Sequence, residues 1–148
     1  MKQAKHLFSI FLTFSFIIIV SVEAADEDYL EVQTELGDKY RLSKVQWPVV
    51  FRCSKYGGSG AGEFMYSIRK NVGNQTGKNN ALLIFEDYFA YSGELSRDGI
   101  NWSFDWRDKK TNKTFSIVIK QGGEMFYYDW SLADKNGRLS VNRSGTCK

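Results

Sequence analysis

The chain has 148 residues, 43% hydrophobic and 16% aromatic, with 20 basic and 17 acidic side chains and a formal charge of +3. That balance is too even for a nucleic-acid-binding surface. The one histidine, His6, and two cysteines leave little for histidine-based catalysis or a histidine-ligated metal.

Residues 1–24, MKQAKHLFSIFLTFSFIIIVSVEA, read as a secretory signal. Lys2 and Lys5 supply the positive start, Leu7 to Val20 the apolar run, and Val22 and Ala24 the small residues before a cut at Ala25. The run of about fourteen residues is shorter than the roughly 20 that span a bilayer. Residues 25–148 are then expected to be one secreted β domain, with no membrane span in the mature protein. Without Lys2, Lys5 and Glu23 the balance is 18 basic to 16 acidic.

Behind a signal, Cys53 and Cys147 are expected to form one disulfide. Closing so long a loop stabilises the fold by about 4–5 kcal/mol in the chain-entropy model. Asn74, Asn101, Asn112 and Asn142 each begin an N-glycosylation sequon and are expected at the surface.

Along the chain, strand and turn signals alternate. YLEVQTEL (29–36) and KYRLSKVQ (39–46) flank Gly37-Asp38, a hairpin signal. WPVVFRC (47–53) reads as a strand with Pro48 at its start, and SKYGGSGAG (54–62) as a loop. EFMYSIRK (63–70) alternates, with Tyr66 and Ile68 on the apolar face. NVGNQTGKN (71–79) is a polar loop. ALLIFEDYFAY (81–91) is apolar on both parities, which suits a doubly buried strand better than a short helix.

In INWSFDWR (100–107) Trp102, Phe104 and Trp106 share one face, and Asn101, Ser103 and Asp105 the other. The basic run RDKKTNK (107–113) reads as a solvated turn. TFSIVIK (114–120) turns Phe115, Ile117 and Ile119 inward. In EMFYYDWSL (124–132) period two assigns Phe126, Tyr128, Trp130 and Leu132 to the core, leaving Met125, Tyr127 and Asp129 outside. Asn136-Gly137 closes a last hairpin, and RLSVNRS (138–144) points Leu139 and Val141 in and Asn142 out.

The fold class is therefore all-β: an antiparallel meander of about eight or nine short strands, closed as a small sandwich or barrel. No cofactor or metal motif appears. Residues 134–137 hold only a fragment of a calcium loop, and GGSGAG lacks the lysine and helix of a phosphate loop.

The leading expectation is a secreted, N-glycosylated, non-enzymatic protein that binds an extracellular protein or a glycan through loops and exposed aromatics, with Tyr56, Trp47 and Tyr127 as contact residues. A second is a barrel carrying a small apolar ligand in a cavity lined by Trp102, Trp106, Tyr128 and Trp130. A third is a hydrolase using carboxylates among Glu86, Asp87, Asp105 and Asp129.

Overall fold

The structure, a computed structural model, describes residues 28–55, 65–86, 88–139 and 143–148. Ten strands are present among them: β1 (Tyr29–Thr34), β2 (Lys39–Ser43), β3 (Val49–Lys55), β4 (Met65–Lys70), β5 (Ala81–Phe85), β6 (Phe89–Asp98), β7 (Asn101–Arg107), β8 (Thr114–Ile119), β9 (Glu124–Asp129) and β10 (Arg143–Cys147). Strands β3 to β10 form an antiparallel meander that closes on itself, because β10 pairs with β3. Of the two expected architectures, the closed barrel is the one adopted, and the pair β1–β2 is added to its outside.

The closing seam is held three ways. Cys53 lies opposite Cys147 in the antiparallel register, and the two form the disulfide across 94 residues of chain. Arg52 and Lys148 exchange two backbone hydrogen bonds of 2.9 Å. Gly145 completes the seam, since a Cβ there would collide with the carbonyl oxygen of Ser54 and come within 2.9 Å of Met125 Cε.

Eight tilted strands enclose an interior that side chains can fill. Here they do so: Ile68, Leu83, Leu95, Phe104, Ile117, Ile119 and Met125 are buried together with Trp106. A second, smaller cluster forms outside the wall, where Val32 and Leu42 of β1–β2 cover Leu82, Ile84 and Ala90, with Leu30 and Trp47 at its edge. Strand β5 is thus buried on both faces, as its uninterrupted apolar sequence predicts.

Segment 81–91 is nevertheless not one strand. Phe85 pairs with Phe89, and the turn between them places Glu86 at φ 50° and donates Tyr88 N–H to the Phe85 carbonyl. Beyond it β6 runs for ten residues. It pairs with β5 over its first half and with β7 over its second, while β1 joins its start in parallel at Gln33–Phe89 and Thr34–Ala90. Gly93 sits at the change of partner, where a Cβ would lie 2.6 Å from Phe104 Cζ. Asn80 extends the β5–β6 ladder with its side chain: Nδ2 donates to the Leu95 carbonyl (3.1 Å) and Oδ1 accepts from the Leu95 N–H (2.8 Å).

The parity expected for β9 is inverted. Residues directly opposite in an antiparallel pair share a face. Ile119 lies opposite Met125, Ile117 opposite Tyr127 and Phe115 opposite Asp129. The inward set of β8 therefore draws Met125, Tyr127 and Asp129 inward and turns Phe126 and Tyr128 out. The strand also ends at Asp129, and a 3-10 turn over Trp130–Leu132 breaks the period. Trp130 is 48% exposed, whereas Trp106 is 6% exposed. Removing the Trp106 side chain should accordingly cost about 3–5 kcal/mol in Trp106→Ala, against less than about 2 kcal/mol in Trp130→Ala. Urea unfolding of the two variants checks this, and equal losses would contradict the observed facing of the strands.

Candidate functional site

The expected site residues do not converge. Tyr56 and Asn142 lie outside the described residues. Tyr127 is not an exposed anchor: it packs inward, its ring 5.7 Å from Trp106 and 5.8 Å from Phe115. Trp47 is half-buried against the outer cluster, and its carbonyl accepts from Arg69 Nη1 at 2.8 Å. Of the four residues expected around a cavity, Trp102 and Trp106 face the barrel interior, while Tyr128 and Trp130 are on its outside. The central interior between them is packed with side chains. Asn74 and Asn112 are exposed in loops and Asn101 is half-buried at the start of β7.

The outer wall of β6 and β7 presents a different arrangement. Alternation sends Ser92 and Glu94 outward on β6, and Asp105 and Arg107 outward on β7, with Glu94 directly opposite Asp105. A hollow of about 550 Å³ runs over this polar face between the 71–80 loop and the 108–113 turn. A second, of about 510 Å³, lies under the β1–β2 hairpin and is lined by Tyr29, Tyr40, Arg41 and Trp47. Asn79 and Ser92 line both, so the two form one groove; the Ser92 hydroxyl donates to Asn79 Oδ1 at 3.1 Å. Both volumes fall in the range of roughly 300–1,000 Å³ typical of ligand sites.

The walls of the groove are fixed. Asp105 accepts from Ser103 Oγ (2.9 Å) through one oxygen and from the Ser116 hydroxyl through the other, and Ser116 Oγ in turn accepts from the Trp130 indole N–H at 2.7 Å. Asp108 Oδ1 accepts from the N–H groups of Lys110 (2.8 Å) and Thr111 (2.9 Å), which folds the basic run 107–113 into the expected turn, with Asn112 at φ 60°. Glu35, at the tip of the hairpin, accepts from Lys109 N–H at 3.2 Å and ties hairpin to turn. Burial, reinforced by the charge of Glu35, raises the Tyr40 phenol above its ordinary value, so its hydroxyl remains a donor well into alkaline pH. The Arg41 guanidinium lies 4.7 Å over the Tyr29 ring.

Asp129, expected outside, is buried at the end of the interior. The Ser131 hydroxyl (2.6 Å) donates to its Oδ1, as does the Ser131 N–H (2.9 Å), and Lys113 Nζ stands 3.9 Å from Oδ2. The Ser131 hydroxyl most strongly, then the N–H and Lys113, hold the carboxyl below its usual value against the opposing effect of burial. Both candidate acids of β7 and β9 therefore act as acceptors for neighbouring donors. Among the described residues no cluster of three or more His, Cys, Asp or Glu side chains could hold a metal ion, and no helix is long and apolar enough to cross a membrane.

An eight-stranded antiparallel barrel with an external hairpin is the class of fold that these observations define. No protein family matches the chain, and no curated protein or solved structure matches it either.

The lowered carboxyl of Asp129 gives a pH dependence of definite sign. A group depressed in the folded state stabilises it above the unfolded value, about 4, and that contribution disappears as pH falls through the folded value. Asp129→Asn should thus be less stable than wild type near neutrality, and the gap should narrow as pH falls through and below the unfolded value of about 4. Urea midpoints measured from neutrality to below that value test it; a gap independent of pH would remove Asp129 from the acid limb.

Proposed function

We propose that the protein is a secreted, N-glycosylated, non-enzymatic binding protein whose ligand is a glycan held in the outer groove. The observation that carries this reading is the composition of the groove: aromatic side chains at one end, amides and charges of both signs at the other. The apolar face of a sugar ring packs on an aromatic face, while its hydroxyls need both donors and acceptors at short range. Tyr29, Tyr40 and Trp47 supply the first; Asn79, Glu94 and Arg107 supply the second.

Secretion is supported by the signal-like residues 1–24 and by the disulfide, which persists in oxidising compartments. N-glycosylation is supported by the exposure of Asn74 and Asn112. The non-enzymatic reading is supported by Asp105, both of whose oxygens are engaged by the hydroxyls of Ser103 and Ser116. The packed interior disfavours a carrier of apolar ligands.

Asn112 lines the groove, so Asn112→Gln protein, free of sugar at that position, is the material to test. On an array of immobilised oligosaccharides it should retain a defined subset. Adding Tyr40→Ala or Glu94→Gln should weaken retention at least about tenfold. A folded protein that retains no oligosaccharide, or that is indifferent to both substitutions, would refute the reading.

A further inference from the structure

The interior is filled along most of its length, but it ends in a hollow where β5 to β9 reach the 108–113 turn. This hollow has a volume of about 200 Å³ and is lined by Phe85, Tyr91, Trp106, Asp108, Phe115 and Tyr127. Five of the six are aromatic. Trp106 forms the floor, stacked on Phe115 at 5.2 Å with 26° between the planes. Tyr127 stands edge-on to it at 5.7 Å, and Tyr91 lies at 6.1 Å. The four rings around the floor are half-buried.

The sixth lining residue is a carboxylate. Asp108 Oδ1 accepts from the backbone of the turn, and the same residue lines the hollow. The neighbouring charges are disposed around it. Lys113 is turned to Asp129, and Lys109 lines the outer groove. The charges of Asp108 and Glu35 both reach the Tyr91 hydroxyl, which burial and these two carboxylates raise above its ordinary phenolic value.

An apolar ligand would fit the rings but strand the carboxylate, and an anion would be repelled by it. A primary ammonium keeps three N–H donors that a mostly aromatic lining leaves largely unsatisfied. A quaternary ammonium carries none; its charge is spread over methyl groups that rest against aromatic faces. The volume lies below the roughly 300 Å³ at which sites for drug-sized ligands begin, which suits one head group and no long chain.

We propose that this aromatic cage binds a small quaternary ammonium cation of the choline type, its methyl groups against Trp106, Phe115, Tyr91 and Tyr127 and its charge facing Asp108. The cage opens at the barrel end, inside the wall whose outside carries the groove, so the proposal stands without the glycan reading. A zwitterion such as phosphocholine brings a phosphate to the same carboxylate and is held more weakly.

Calorimetric titration of the intact, disulfide-bonded protein with choline chloride, with its uncharged carbon isostere dimethylbutanol, and with phosphocholine tests this. Choline should bind saturably, at least about tenfold tighter than either other probe. Asp108→Asn keeps Oδ1 as the acceptor for the turn and should weaken choline about tenfold. Phe115→Leu keeps an apolar wall without the π face and should weaken it several-fold. No saturable binding of choline, equal affinity for the isostere, or unchanged affinity in Asp108→Asn would overturn the proposal. Phosphocholine bound as tightly as choline would also count against it.

Discussion

The pairing of β10 with β3 is the constraint on which the rest of the molecule depends. An open eight-stranded meander would leave two edges with unpaired N–H and C=O groups, each a template for association. Closing it satisfies both edges at once and fixes the diameter at which side chains fill the interior. The seam joins segments far apart in sequence, so loop closure opposes it. Cys53 and Cys147, placed opposite each other in register, remove much of that cost from the unfolded chain.

Closure also divides every strand into an inside and an outside, and the two faces then do different things. Inside, Phe104, Ile68, Ile117 and Met125 are fully buried, and a hollow remains at the end around Trp106. Outside, β1–β2 buries Leu82 and Ile84 under Val32 and Leu42. The hairpin stops short of the second half of β6. The uncovered polar strip beside it, between Asn79 and Arg107, becomes the groove. Glu35 joins hairpin tip and β7–β8 turn, so one contact helps set the rim of both groove and cage.

Much of this was legible in the sequence, and the failures have specific causes. Where one parity is apolar and the other polar, as in Trp102, Phe104 and Trp106 against Ser103 and Asp105, period two gave the correct face. The dense apolar run at 81–85 announced a strand buried on both sides. Residues 92–98 gave no such signal, because Gly93 and Leu95 face the core and Gly93 has no side chain to show it. Residues 125–130 misled because rings occupy both parities; the facing there is decided by the register with Phe115, Ile117 and Ile119, which is a non-local property. For the same reason the cage was not visible: its rings come from β5, β6, β7, β8 and β9, and only closure brings them around Trp106. The groove was missed because its residues are polar and exposed, and single sequence positions do not reveal that they share a wall.

Native-state amide hydrogen exchange across the seam tests the central claim most directly. If closure holds the barrel together, the N–H groups of Arg52 and Lys148 should exchange with the same free energy as those of buried Ile68 and Phe104. In a protein with Cys53 and Cys147 both changed to serine, protection should fall together across β3 to β10, because opening the seam then unfolds the whole barrel. Rapid exchange at Arg52 and Lys148, with β4 to β9 still fully protected, would show a barrel that survives with its seam open and would contradict the account.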